Sequence, residues 1–295
     1  MDELITRGGY QRITDIRAGR PQLIAEAAAA RVRGVPGERL FLIAADHPAR
    51  GALAVRDRPL AMGSRHELLD RLRLALSRPG VDGVLAAPDL IEDLLLLGAL
   101  DSKVVIGSMN RGGLPGSVFE ADDRFTGFDA TALAALGLDG GKMLCRIDPG
   151  DPATVATLEA CAHAVTSLAR RQLLALVEPF WSHRSGGALR NDLSPEAVIR
   201  AISVAQSLGA TSAYTWLKIP ALPEMERVMA ATTLPALLLG GDPSSLEAAL
   251  DTWGKALRLP GVRGLVVGRA LLYPPDDDVV SAVDAAATLV RETAL

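Results

Sequence analysis

Two residues in this sequence, Lys218 and Glu178, carry groups that could do covalent chemistry from inside a core. Lys218 lies in Ser212-Ala213-Tyr214-Thr215-Trp216-Leu217-Lys218-Ile219-Pro220. Its aromatic and branched residues, the Gly209 turn before it and the closing Pro220 read as a short buried strand. Side chains alternate along a strand, so Tyr214, Trp216 and Lys218 are expected on one face. Burial depresses a lysine pKa, and a neutral amine is the form that attacks a carbonyl to give a Schiff base. Without that task, the side chain would snorkel from the strand end to solvent. Composition bears on the choice: of 31 Lys+Arg only Lys103, Lys142, Lys218 and Lys255 are lysines. Arginine, carrying nearly all the positive charge, cannot serve as an amine nucleophile.

Glu178 ends a second apolar run, in Val177-Glu178-Pro179, where a partly desolvated carboxylate can act as a general acid or base. Its structural alternative is an ion pair with an arginine. Lys142 begins a run in which Leu144 and Arg146 share its face, and a second cation near Lys218 would favour the neutral amine. Asp46 closes the first strong run and could hold a substrate hydroxyl or a lysine; it could equally cap the next turn. Gly240-Gly241 and Gly268-Arg269 end two late runs. Glycine lets backbone N–H groups approach an oxyanion, and arginine adds a forked cation, so these four are read as a phosphate site. His47, Arg146, Trp216 and Asn110 are possible further substrate contacts. His47, His66, His163 and His183 show no paired metal-ligand spacing, so no metal and no cofactor are expected.

The elements that must position these groups form a regular series. Apolar runs begin near residues 40, 83, 103, 141, 173, 212, 235 and 264, and helical patterns separate them. Such runs suit strands of a parallel sheet covered on both faces. Eight of them alternating with helices predict a (β/α)8 TIM barrel over 38–295. An open doubly wound sheet fits less well, because no G-x-G-x-x-G follows the first strand. Residues 1–37 read as a short N-terminal helical extension, a polar lead followed by a helix over about 21–33.

Bulk properties exclude other classes. A net charge of −4 gives no footprint for nucleic acid or an anionic membrane. Charge or proline interrupts each apolar run before it could span a bilayer. Cys145 and Cys161 imply no disulfide framework. Met1-Asp2-Glu3-Leu4 has no basic-then-apolar signal pattern. A cytoplasmic protein is expected.

At these residues the chain resembles the class I aldolases of the deoxyribose-phosphate, tagatose-bisphosphate and archaeal-type fructose-bisphosphate group, over about 38–290. Lys142-Met143-Leu144 is similar to a strand whose lysine lies in the active site. Val177-Glu178-Pro179 resembles the strand-five glutamate that shuttles protons, and Leu217-Lys218-Ile219-Pro220 resembles the Schiff-base strand. Ala45-Asp46-His47 is similar to the first-strand aspartate, and Gly240-Gly241 with Gly268-Arg269 to the phosphate loops. Where the archaeal-type enzymes carry an aromatic proton donor on strand four, this chain has Cys145 and Arg146, which favours the glutamate-using branch. Ser108-Met109-Asn110-Arg111-Gly112-Gly113 is similar to actinobacterial barrel proteins of inositol breakdown. The resemblance implies cleavage of a phosphorylated keto sugar or keto sugar acid, such as 5-dehydro-2-deoxy-gluconate 6-phosphate, to dihydroxyacetone phosphate and malonate semialdehyde. It also implies a homo-oligomer. The alternatives are a sulfosugar-phosphate aldolase or transaldolase, and a sugar-phosphate binding barrel without catalysis.

Overall fold

In a computed structural model describing residues 7–111, 113–241 and 245–293, the apolar runs are strands of one closed barrel. The readings that rest on residues 1–6 and on Gly112 lie outside the described residues. The barrel strands are β1 Leu40–Ala45, β2 Gly83–Ala86, β3 Val104–Ser108, β4 Gly140–Ile147, β5 Leu174–Ser185, β7 Thr215–Pro220, β8 Ala236–Leu239 and β9 Val262–Val267. Neighbours pair in parallel in the order β4-β3-β2-β1-β9-β8-β7-β5, and β4 pairs with β5 to close the ring. This is a (β/α)8 TIM barrel. Strand β6, Ala188–Asp192, lies outside the ring and pairs antiparallel with the end of β5.

Parity along the strands sets the two cores. Leu40, Leu42, Leu85, Val104, Ile106, Leu176, Leu237 and Val266 fill the barrel interior, joined by the partly buried Trp216. The alternate residues face a larger shell of helices: α3 Arg65–Ser77, α4 Pro88–Leu96, α5 Ala130–Ala135, α6 Ala153–Ala169, α7 Pro195–Ala205, α8 Met225–Met229, α9 Leu246–Leu257 and α11 Val279–Glu292. Ser64, Asp129, Ser194, Ser245 and Asp278 cap α3, α5, α7, α9 and α11, each accepting a first-turn backbone N–H. A short helix α10, Arg269–Leu272, follows β9 at once. Among the described residues no helix is long and apolar enough to cross a membrane.

Three expectations change. The lead before residue 21 is not merely polar: α1, Arg7–Gly19, buries Tyr10, Ile13 and Ile16 and precedes α2, Leu23–Ala30. Its Arg17 pairs with Glu92 and Asp93 of α4. The residues after α2 run along the barrel's N-terminal end, where Arg31 donates to the carbonyls of Lys103 and Gly137, each at 2.7 Å. Next, Ser212 to Tyr214 are not strand: the backbone turns there and β7 begins at Thr215. The preceding helix already ends at Ala205, and Gly209, at φ +82, bends the chain between it and β7. Finally, β5 does not stop at Pro179 but continues to Ser185 and returns as β6 through Gly186-Gly187, whose φ values of +61 and +83 form the hairpin turn.

Candidate active site

Among the described residues, polar side chains interrupt the interior layers near the C-terminal end of the strands. Asp46 follows β1, Ser108 ends β3, and Lys142, Glu178 and Lys218 sit within β4, β5 and β7. Register brings them level: Ser108 pairs beside Lys142, and Leu144 beside Glu178. All five are buried, Lys142 and Asp46 completely.

Glu178 stands between the two lysines. Its Oε1 lies 2.8 Å from Lys218 Nζ, and its Oε2 contacts Lys142 Nζ. Lys142 Nζ also donates to Asp46 Oδ2 at 3.1 Å. That same oxygen takes Ser108 Oγ at 3.2 Å and the Arg111 guanidinium. Asp46 Oδ1 is buried with no hydrogen-bond partner, 3.9 Å from His47 Nδ1. Three buried cations, Lys142, Lys218 and Arg111, thus face two buried carboxylates. Releasing one lysine proton would balance the group, and desolvation favours that release.

The titration tendencies agree. Burial lowers the Lys218 ammonium, opposed by Glu178 and reinforced by Arg111 and Arg269. Burial and then Arg111 push Lys142 well below the ordinary lysine value. Burial alone would raise the Glu178 carboxyl, but Lys142, Lys218 and Arg111 outweigh it and hold the group well below the usual carboxylate range. Burial, Arg269 and Lys218 keep His47 neutral far below its usual pKa. The sequence suggested Lys142 as the cation that biases Lys218. In the structure Glu178 stands between the two amines, whose charges still repel each other, and Arg111 and Arg269 add to the weight on Lys218.

A cavity of about 730 Å³ opens over this group at the C-terminal face. Lys218 and Glu178 form part of its lining, with His47, Arg111, Arg146, Gly240, Gly241, Gly268 and Arg269. The nucleophile candidate and the glycine–arginine cradle therefore share one space. Gly268 is held to glycine by packing, since a Cβ there would strike the Ala44 carbonyl oxygen. Gly241 takes φ +60 with open space where a Cβ would stand. Arg269 reaches across to the Ala54 carbonyl at 3.5 Å.

Other expected contacts lie elsewhere. Asn110 is fully buried and its amide closes a pair with Leu144, donating to that carbonyl at 2.6 Å and accepting its N–H at 2.7 Å. Trp216 packs in the barrel core below Lys218 and does not line the cavity. Lys142 and Asp46 sit behind Glu178 and Arg111 rather than in the lining. Arg146 does line it, but is tied to Asp123 at 2.9 and 2.6 Å. Arg111, Glu120 and the β5–β6 hairpin residues Leu189, Arg190 and Asn191 were not anticipated. Arg111 falls in an irregular loop with no periodicity, whereas Gly186-Gly187 was a legible hairpin signal. Among the described residues no group of three or more His, Cys, Asp or Glu could hold a metal.

Fold and site together define a TIM barrel with a buried Lys–Glu–Lys chain on its C-terminal face. The family model described as Cgl0159-like matches residues 38–287, and the chain belongs to that family. Cgl0159 from Corynebacterium glutamicum has 51% sequence identity to it, with a TM-score of 0.96 over 99% of both chains. An archaeal fructose-1,6-bisphosphate aldolase, solved with its catalytic lysine bound to a carbinolamine intermediate, shares the barrel at 21% identity. Its TM-score is 0.64, over 90% of this chain and 99% of that one. Fructose-bisphosphate aldolase from Slackia heliotrinireducens gives 0.68 at 16% identity, over 91% and 84%. These two likenesses show the fold. Among curated proteins none matches.

Proposed function

We propose that this protein is a class I aldolase, a carbon–carbon lyase that cleaves a phosphorylated keto sugar or keto sugar acid through an imine on Lys218. The observation that carries the reading is the Glu178 carboxylate, 2.8 Å from Lys218 Nζ and bonded on its other oxygen to Lys142, at the floor of a cavity that also holds Gly240, Gly241, Gly268 and Arg269. A barrel of the same architecture that holds its substrate on a lysine as a carbinolamine supports it by analogy.

Arg269 and the glycine amides hold the phosphate, which sets the neighbouring ketone against Lys218. The loops after the last two barrel strands are where TIM barrels commonly bind phosphate. The neutral amine adds to the carbonyl carbon, and the carbinolamine loses water to give an iminium. Glu178 takes the proton of the hydroxyl on the carbon beyond the bond to be broken. That bond's electron pair moves into the iminium, giving an enamine and a free aldehyde. The enamine is protonated at carbon, and water releases the product ketone and the amine. Lys142 keeps Glu178 oriented, and Arg111 with Asp46 anchors Lys142. With 5-dehydro-2-deoxy-gluconate 6-phosphate the products would be dihydroxyacetone phosphate and malonate semialdehyde.

The test is borohydride reduction in the presence of phosphorylated and sulfonated keto sugars, followed by peptide mass mapping. A reduced adduct on Lys218 is expected with a phosphorylated substrate. Adduct formation only with sulfonated sugars would move the reading to a sulfosugar aldolase or transaldolase. A ligand-dependent rise in Tm without any adduct would mark a binding barrel and sink the enzymatic reading.

A further inference from the structure

Arg50 and Arg190 line the cavity over Lys218 but take no part in the lysine–glutamate chain. Among the described residues neither guanidinium makes an ion pair, a hydrogen bond or a ring contact. Neighbouring cations are committed: Arg111 to Asp46, Arg146 to Asp123 and Lys218 to Glu178. Arg190 is exposed on the β5–β6 hairpin, whereas Arg50 is half-buried. The backbone of Arg50 is fixed by a single 3-10 turn, Pro48–Arg50, which Pro48 starts and Gly51 ends at φ +75. Burial lowers the Arg50 guanidinium, and of the charges around it Arg146 counts most, then Asp123, Glu178 and Glu120. His47, one turn earlier, instead feels Arg269 and Lys218 most. The segment after β1 thus sets His47 toward the glycine–arginine cradle and Arg50 toward β4 and β5. The carboxylates on that side are occupied. Glu120 accepts the N–H groups of Gly116 and Leu189 at 3.1 and 3.3 Å, Asp123 holds Arg146, and Glu178 holds the two lysines.

A guanidinium held in a cavity wall without an acceptor is a ready partner for an oxyanion, whose geometry matches its fork. We infer that Arg50 binds a second anionic group of the substrate, a carboxylate or phosphate at the end that leaves as the aldehyde. This rests on the reading of Lys218 as the imine-forming amine, with the first anion held by Arg269 and the glycine turns. Glu178 then serves the hydroxyl of the departing half, and Arg50 stands on the Glu178 side of the cavity. At about 730 Å³ the cavity has room for a substrate that reaches both ends. The substrate class narrows to keto sugars with an anion at each end.

The experiment runs the proposed reaction backwards on the full-length protein. Dihydroxyacetone phosphate forms an iminium on Lys218, which loses a proton from carbon to give the enamine. The enamine's electron pair forms the new bond to an aldehyde carbon, the aldehyde oxygen takes a proton from the Glu178 carboxyl, and water releases the product. Three acceptors are compared: neutral glyceraldehyde, glyceraldehyde 3-phosphate and malonate semialdehyde. An anionic acceptor should exceed glyceraldehyde in kcat/KM by at least about tenfold. The larger preference assigns the second group as phosphate or as carboxylate. Arg50→Gln should raise KM for the preferred acceptor by about 10–100-fold with a smaller change in kcat, and Arg50→Lys should restore part of the preference. If Arg50→Gln does not fold, Arg50→Met takes its place with the same expected loss. Borohydride adduct on Lys218 without any anion preference would overturn the Arg50 site and leave the aldolase reading standing. A preference kept by Arg50→Gln, or lost only in Arg190→Gln, would also overturn it. Absence of any adduct with dihydroxyacetone phosphate overturns the Arg50 site as well, and trapping with the sugars named above then decides the aldolase reading separately.

Discussion

Glu178 and Lys218 meet at 2.8 Å on the interior face of neighbouring strands, with Lys142 on the carboxylate's other oxygen. This contact gives the amine a proton acceptor within bonding reach. Lys218→Met therefore removes the proposed nucleophile while leaving the Glu178–Lys142 pair in place. The expected outcome is complete loss of borohydride-trapped adduct with a folded barrel by circular dichroism. Trapping that persists at another lysine would refute the assignment.

Under the proposed mechanism, Glu178→Gln should separate imine formation from bond cleavage. The amide keeps the shape but can no longer take a proton. A general base is worth roughly 10²–10⁴ in rate, and a loss of that size in kcat is expected. Adduct should still form on Lys218, since the amine remains. Rapid-quench measurement of adduct against product release checks the split, and a variant with unchanged kcat would remove Glu178 from the mechanism.

Much of this site was legible because barrel strands are buried on both faces. A charged residue inside Leu-Ala-Leu-Val-Glu or Trp-Leu-Lys-Ile stands out against an otherwise apolar run, and parity then assigns it to the interior. The same contrast fails in loops. Arg111 sits where no period exists, so its contact with Asp46 could only be seen once β1 and β3 were joined through β2. The β5–β6 hairpin was missed for the opposite reason: His183, Arg184 and Arg190 make its strands polar, and an apolar-run criterion passes over them. Tyr214 looked like strand from composition, but β7 pairs with β5 only from Thr215 onward.

Lys142 is a fully buried cation shared by Asp46 and Glu178. Removing a cation that leaves its buried partner unpaired costs about 3–5 kcal/mol; here Glu178 keeps Lys218 and Asp46 keeps Arg111, which places the cost below that range. Lys142→Met should lower Tm markedly in thermal melts. Adding Asp46→Asn, which also takes the carboxylate from the buried Arg111, should lower Tm further. A double variant as stable as the single one would show that the Asp46 contact contributes little.

Arg269 and the Gly240-Gly241 turn face Lys218 across one cavity. If they hold an anion in ground and transition states alike, Arg269→Ala should raise KM for a phosphorylated ketose by roughly 10–100-fold with a smaller change in kcat, as expected for a lost charged hydrogen bond. The neutral, unphosphorylated ketose should be turned over equally by both proteins. A KM unchanged by the substitution would place the phosphate elsewhere.

The pH dependence follows from the direction of the Lys218 and Glu178 shifts. Burial lowers the Lys218 ammonium in the folded state, so the reactive neutral amine grows as pH rises, with a midpoint below the ordinary lysine value. Adduct formation should therefore show an acidic limb. Glu178 opposes the lowering and Arg111 reinforces it. Glu178→Gln should move the limb to lower pH, and Arg111→Met should move it to higher pH. For stability the two groups act with the same sign. The depressed Glu178 carboxyl contributes stability present above the unfolded carboxyl pKa and lost as pH falls through its folded value. The depressed lysine binds fewer protons folded than unfolded, so between its folded and unfolded values stability rises with pH. Limbs measured from the rate of borohydride trapping check the first claim. A shift of the Glu178→Gln and Arg111→Met limbs in the same direction would show that neither charge acts on Lys218 as the geometry requires.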